Sequence, residues 1–421
     1  MINKIFSLVV IISGLAFQTS AQIATSSPYS RFGLGDLHQN SIPEFSAFGG
    51  ASIGSSNASI INPSNPASYS SFRPNSFLLS TGGWHQTTRM QNKAEEHTVN
   101  NNAFSHFLIG FPLSKKLGAS AGMLPYSSIG YEINAINNVY KADMNYFGDG
   151  GISKIYFGGS YKLFNNLSIG ANASYLFGGL NRRKQLLYDD ESFMNSRGNS
   201  AISLKGYYYE LGLLYKYDVS DEKQLTIGLT ANNDTEIRAK KSELVESFEY
   251  SGVFEIPKDT FVNNVAWGDV TLPRYISAGL TYKDGKKWLF LADYSMQNWE
   301  NFTMLDESDD LANTIKISGG IQFTPDYNSI TKYYKRMDYR LGASYSNTPL
   351  LLVENKSWKI KEMSVSFGFG IPVKKSRTKY DFSCTIGKRG TTEGNLIKEQ
   401  FVRLALSVSY DGIWFVKRKY D

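Results

Sequence analysis

From about residue 75 onward, apolar and polar positions alternate with a period of two. In the last segment Val402, Leu404, Leu406, Val408, Tyr410 and Trp414 share one phase, and Arg403, Ala405, Ser407, Ser409 and Asp411 the other. Residues 167–177 set Leu167, Ile169, Ala171, Ala173, Tyr175 and Phe177 against Ser168, Gly170, Asn172 and Ser174. Residues 313–324 and 364–371 repeat the pattern, with Ile317, Ile321, Val365 and Phe367 on the apolar side. Such a period predicts strands with one apolar and one polar face. Fourteen runs carry it: 75–87, 103–112, 117–133, 151–163, 167–180, 201–217, 224–239, 270–282, 287–297, 313–324, 337–346, 357–371, 379–389 and 399–415. Many exceed the usual strand of about 5–6 residues and reach the roughly 9–11 that a tilted strand needs to cross a bilayer. Longer connections follow odd-numbered runs and shorter ones follow even-numbered runs along most of the chain, the longest being 240–269. The pattern predicts an all-β protein, a 14-stranded antiparallel transmembrane β-barrel with long loops outside and short turns in the periplasm.

Composition narrows the class further. Of 421 residues, 42% are hydrophobic and only 19% charged, while 27 Tyr, 26 Phe and 6 Trp make 14% aromatic, which excludes a disordered chain. Cys384 is the only cysteine, so a disulfide scaffold, zinc finger or iron–sulfur protein is excluded. The net charge of +6 is scattered and forms no basic stripe, which argues against a nucleic-acid partner.

Residues 1–21 read as a cleaved secretory signal peptide. Lys4 is followed by an apolar stretch from Ile5 to Phe17 and by the small residues Thr19-Ser20-Ala21. The mature chain is expected to start at Gln22, and no other segment has 18 consecutive apolar residues.

Residues 22–74 do not alternate. They are rich in Ser, Gly, Asn, Ala and Pro, yet carry Tyr29, Phe32, Leu34, Phe45, Phe48, Ile53, Ile60 and Ile61, which need burial. A barrel of this size has a lumen too wide for its own side chains to fill, so this segment is expected to lie inside the lumen as a hatch, with 75–421 as the barrel. Gly49-Gly50-Ala51 followed by Asn65-Pro66-Ala67-Ser68 resembles the hatch of FadL-type outer-membrane transporters, a family that includes TodX-like proteins. The resemblance implies a fourteen-stranded barrel with Asn65, Pro66 and Ala67 as the hatch motif just before the first strand. It also implies uptake of long-chain fatty acids or aromatic hydrocarbons.

Pro125 stands inside the third run, where proline cannot donate to a ladder and a closed barrel has no edge to place it on. Two readings follow: a break within the wall, eased by Gly122 and Gly130, or a bulge at the outer rim. The resemblance implies the first, a kink that opens the wall sideways as a lateral gate edged by Met123, Leu124, Pro125, Tyr126 and Ser127.

Other motifs carry little chemistry. His38, His85, His97 and His106 show no metal-binding spacing, and no GxSxG occurs, so neither a metal site nor an enzyme is expected, and no cofactor. The acidic runs Asp189-Asp190-Glu191 and Asp306-Glu307-Ser308-Asp309-Asp310 read as solvated loop tips, with divalent-cation binding as the sharper alternative. Arg182-Arg183-Lys184 reads as a loop-solubilising group or a contact for lipid phosphates. The expected protein is an outer-membrane monomer in contact with lipid, taking up a hydrophobic small molecule. The alternative is a non-transporting barrel of the same shape, docked in a secretion or surface-assembly machine. A through-going apolar cavity would favour the first, and a fully plugged lumen the second.

Overall fold

Alternation becomes a closed wall in the computed structural model, which describes residues 24–38, 42–137, 141–190, 192–305, 307–308, 311–353 and 357–414. The expected signal peptide lies outside the described residues. The wall strands are β1 (Ser76–Gln91), β2 (Glu96–Pro112), β3 (Leu117–Asn137), β4 (Ala142–Lys162), β5 (Leu167–Tyr188) and β6 (Asn195–Asp218). They continue with β7 (Lys223–Ala231), β8 (Thr235–Ser251), β9 (Phe254–Leu272), β10 (Tyr275–Asp284), β11 (Trp288–Gln297) and β12 (Thr314–Phe323). The circuit ends with β13 (Asp338–Val353), β14 (Ser357–Pro372), β15 (Lys379–Arg389) and β16 (Lys398–Ile413). β16 pairs with β1 from Lys398↔Gln91 to Ile413↔Ser76, which closes the sheet. Two wall strands are each split in two, β7 with β8 and β9 with β10, so these pieces make a 14-stranded antiparallel barrel.

The two faces separate as the pattern requires. On β5, Ser168, Asn172 and Ser174 are buried, while Ile169 and Tyr175 face out at 41% and 38% exposure. On β6, Tyr207, Tyr209 and Leu211 project outward. This arrangement sets a polar interior against an apolar exterior suited to hydrocarbon.

The split strands depart from the expected runs 224–239 and 270–282. Asn232, Asn233 and Asp234 interrupt one strand, Pro273 and Arg274 the other. Side chains replace part of the missing ladder: the Tyr275 amide donates to Asn232 Oδ1 (2.6 Å), and the Arg274 amide to Asp234 Oδ1 (2.7 Å). Beyond the break, residues 240–269 are not a loop but most of the tall hairpin β8–β9, braced against β6 from Asn195↔Phe248 to Lys205↔Arg238.

Candidate functional site

The N-terminal segment has its own local order, built from capped turns. Ser27 caps a 3-10 turn (Pro28–Arg31), its Oγ accepting from the Tyr29 amide, and a short helix (Pro43–Ser46) begins with proline at its first position. Asn65 caps a second 3-10 turn (Pro66–Ser71) through Oδ1, which accepts from the Ala67 amide at 3.1 Å. The Asn65-Pro66-Ala67 motif is thus a helix start: a capping side chain, then a residue whose missing N–H costs nothing there. Asn65 Nδ2 also donates to the Ile53 and Leu213 carbonyls (2.8 and 3.2 Å), which ties the turn to β6. Glycines in the wall make room for it, since a Cβ on Gly212 would lie 2.3 Å from Asn65 Oδ1.

Anchors to this segment come from all round the wall. The Ser52 and Ile53 amides donate to Asp293 (2.5 and 2.8 Å), the Gly49 amide to Ser366 Oγ (3.0 Å), and Ser59 Oγ to Asp411 (2.7 Å). Ser70 bonds Ser168 at 2.9 Å, and Asn172 donates to the Pro63 carbonyl at 3.2 Å. Higher up, Arg182 donates to the Gly33 carbonyl (2.6 Å), and Arg389 holds Asp36 (2.8 Å), Glu399 (2.7 Å) and Ser27 (2.6 Å). Lower down, the fully buried Arg340 bridges Asp381 (2.7 Å), Glu44 (3.1 Å) and Asp338 (3.4 Å), and Lys379 pairs with Asp338. Desolvation pushes the Glu44 carboxyl up to about 7, with Asp381 and Asp338 adding to the rise and Arg340 and Lys379 opposing it.

Apolar packing occupies the interior at two levels. A lower cluster joins Ile42, Phe45, Phe48, Ile60, Ile61, Tyr69 and Phe72 of the segment to Leu78, Leu108, Leu124, Tyr156 and Leu291 of the wall. An upper cluster joins Tyr29 and Leu34 to Ile129, Leu176, Leu180, Ile202 and Leu204, and to Trp299, Phe302 and Met304 from an outer connection. Between them lies a cavity of about 410 Å³, bounded by Tyr29, Leu34, Trp299 and Leu350 on one side and by Pro43, Ser46 and Gly49 on the other. Its wall is mixed: Lys154, Glu210, Lys316, Glu362, Arg389 and Arg403 stand beside Trp84, Tyr126, Tyr208, Met296, Ile315 and Phe401. Lys154 and Glu210 form a buried ion pair at 2.9 Å.

The third strand breaks where its proline stands. β2 and β3 pair only from Pro112↔Gly118 to Phe107↔Met123, although both strands run well beyond. Against β4, the register of β3 shifts between Pro125 and Ser127, which leaves Tyr126 unpaired. Gly122 sits where β2 comes close, for a Cβ there would lie 2.5 Å from the Phe107 carbonyl oxygen. Met123 faces outward, Leu124 joins the lower apolar cluster, and Pro125 and Tyr126 line the cavity. Above the break the N-terminal segment takes over as neighbour. Asp36 and Leu37 pair with Ser128 and Ser127, the His38 amide donates to the Tyr126 carbonyl (2.8 Å), and Gly130 exchanges hydrogen bonds with Ser30 Oγ (both 3.1 Å). Ser26 accepts from Asn101 of β2 (2.9 Å), so the segment stands between the parted strands. Sequence reasoning found the break but not the strand beside it; Gly33-Leu34-Gly35-Asp36-Leu37 carries no period long enough to announce one.

The remaining candidates disperse. Among the described residues no group of three His, Cys, Asp or Glu is placed to hold a metal. His38 and His106 bond Ser128 and Ser80 (both 2.8 Å), while His85 and His97 bond Asn102 and Glu95. Arg183 pairs with Glu255 of the tall hairpin (2.7 Å). Of the acidic runs, Glu191, Asp306, Asp309 and Asp310 lie outside the described residues; Asp190 caps the Ser192 amide at 2.9 Å.

A closed fourteen-stranded barrel with its N-terminal segment packed against the inner wall is the FadL-type fold. Solved structures that share it include the Ralstonia pickettii toluene transporter TbuX (TM-score 0.60, 15% identity, 88% of this chain and 97% of that one), the Pseudomonas putida toluene transporter TodX (0.57, 16%, 89% and 99%), and a Pseudomonas aeruginosa FadL homologue (0.58, 11%, 90% and 100%). At these identities the likeness is one of fold. The chain belongs to the BamG family, whose model matches residues 1–421. No curated protein matches its sequence.

Proposed function

We propose that this chain is a non-enzymatic outer-membrane barrel, exported by its cleaved leader, that serves as a docking or structural subunit of a secretion or surface-assembly machine. Residues 22–74 act as a permanent hatch, with Asn65, Pro66 and Ala67 as its staple to the wall. The observation that carries this reading is the anchored interior: the segment joins two apolar clusters, and the cavity between them mixes buried charges with aromatic and aliphatic side chains rather than forming a wholly apolar path. An interior held by more than half a dozen wall residues leaves the outer surface as the working part. The test is reconstitution beside extraction from cells. The purified barrel is expected to be electrically silent in planar bilayers and to transfer a labelled fatty acid no faster than empty vesicles. Extracted gently from native membranes, it is expected to run as a stoichiometric complex. Efficient transfer by a barrel that always extracts alone would overturn the proposal.

A second reading is favoured by the parting of β2 and β3: uptake of a hydrophobic molecule, with exit through the wall beside Gly122, Met123, Leu124, Pro125, Tyr126, Ser127 and Gly130. The structural neighbours named toluene transporters support it at the level of fold. It requires the Asp36–Leu37 strand to leave the break. Fixing Leu37 to Ser127 by a disulfide, in a Cys384→Ser background, would abolish transfer on this reading and change nothing on the first.

A further inference from the structure

The tall hairpin exposes an uncharged sheet edge, and its chemistry names what fits there. On one side β9 pairs with β8, in unbroken register from Val262↔Val245 to Leu272↔Thr235. On its other side the lower end is occupied by a short strand of the same chain: Val270 and Thr271 pair with Met304 and Thr303, and the Leu305 amide donates to the Asp269 carbonyl at 2.9 Å. Above Asp269 no strand among the described residues takes the edge. The free stretch, Val262-Asn263-Asn264-Val265-Ala266-Trp267-Gly268, holds neither a charge nor a proline. Phe261, Val265 and Trp267 are 66%, 49% and 62% exposed on or beside it.

Sheet proteins normally blunt a free edge with lysine, proline, a bulge or an inward charge. This strand uses two of those devices higher up, where Pro257 stands and the register shifts between residues 257 and 262, and none over the seven residues below. We infer that Val262–Gly268 is a docking edge for an extended segment of another polypeptide, added as a strand in line with Thr303–Met304. The partner segment has apolar residues at alternate positions to cover Val265 and Trp267, with main-chain hydrogen bonds supplying affinity. Lipid does not fit, since unpaired backbone groups are not tolerated in hydrocarbon. A second copy fits poorly. Two barrels in one membrane are related by an axis along its normal, which brings equal edges together in parallel, whereas the strand already on this edge is antiparallel. The inference rests on the docking reading and gives it an address.

Hydrogen exchange read by mass spectrometry, on the full chain in native outer membranes and after purification, tests it. Peptides covering residues 262–268 should exchange at least tenfold more slowly in membranes, and Val265→Lys should erase that protection while heat-modifiable migration reports an intact barrel. A photo-crosslinker at Asn264 should give one discrete heterologous adduct, lost in Val265→Lys. Equal exchange in both preparations overturns the inference; if other outer segments are protected in membranes, docking itself survives, and if none is, both fall. Protection retained on purification, with an adduct of twice the chain's mass, assigns the edge to a second copy and overturns the heterologous partner.

Discussion

Two of the strand edges left without a wall partner among the described residues are treated in opposite ways. The upper half of β3 parts from β2, and the N-terminal segment fills the place with Asp36, Leu37 and His38. The edge of β9 above Asp269 is left bare among the described residues. The difference follows from surroundings. On the membrane reading, an open edge beside the hydrocarbon leaves peptide groups with no partner and must be covered from within. The β9 edge stands in the extension above it, where water satisfies the backbone and an uncharged stretch is free to await a strand. The N-terminal segment is therefore part of the wall's closure as well as filler.

The largest test of that comparison removes the segment. Deleting residues 24–72 exposes Asp293, Asp381 and the cavity-side charges to water, but leaves every wall pairing from β1 to β16 available. The expected product is a folded, heat-modifiable barrel with steady ion conductance in planar bilayers, against silence for the full chain. Failure to assemble would show that the remaining wall pairings cannot hold the barrel once β3 loses its cover.

A smaller effect comes from one buried guanidinium. Arg340 faces Asp381, Asp338 and Glu44 with its side chain wholly buried. Removing one member of such a group leaves uncompensated charge and typically costs about 3–5 kcal/mol. Arg340→Met is expected to lower the melting temperature of the detergent-solubilised barrel sharply. Arg340→Lys should recover part of it, because a lysine supplies charge without the planar fork. Equal melting of the Met and Lys variants would mean that the charge contributes nothing to holding the segment.

The same cluster predicts a pH dependence. The folded pKa of Glu44, about 7, stands above its ordinary value of 4.5. A raised carboxyl pKa means that the folded state binds the proton more tightly, so this stabilisation is complete below about pH 4.5 and is lost as pH rises through about 7. Proteolysis of the segment by an acid-tolerant and a neutral protease, normalised to an unfolded standard, should therefore show firmer seating at pH 5 than at pH 8. Glu44→Gln should remove the difference; the reverse pH trend would show that the ion pair with Arg340 outweighs desolvation.

How much of this was legible in the sequence varies by region for physical reasons. Strands such as 167–177 and 399–413 were plain because one face meets apolar surroundings and the other a polar interior, so the period is clean. Residues 240–269 of the hairpin were read as a loop because most of β9 stands exposed on both faces, so no alternation is enforced there, and in β8 the consecutive buried residues Glu246, Ser247 and Phe248 break the period. The breaks were visible in outline: Pro125 announced one, while Asn232-Asn233-Asp234 and Pro273 announced the other but were overridden by the apolar phases around them. The Arg340–Glu44 contact joins residues 296 apart in sequence, and no local pattern encodes such a pair. Asn65-Pro66-Ala67 stood out through its resemblance to the FadL-type hatch; that it is a cap next to its proline is what the structure adds.

The smallest predicted effect, and the one that sharpens the comparison most, concerns a single amide. The His38 N–H donates to the Tyr126 carbonyl at 2.8 Å, directly at the residue that the bulge leaves unpaired. One such bond contributes roughly 0.5–1.5 kcal/mol, which corresponds to about a two- to tenfold change in an opening equilibrium. His38→Pro deletes the donor, whereas His38→Ala keeps it and loses only the imidazole bond to Ser128. With Tyr126→Cys as reporter and Cys384→Ser as background, labelling by a membrane-soluble thiol reagent should rise about two- to tenfold for His38→Pro and much less for His38→Ala. If covering from within is what closes β3, an impermeant reagent added outside should lag behind the membrane-soluble one. Equal labelling of both variants by both reagents would place the closure in the side chains rather than the backbone, and the contrast with the bare β9 edge would lose its physical basis.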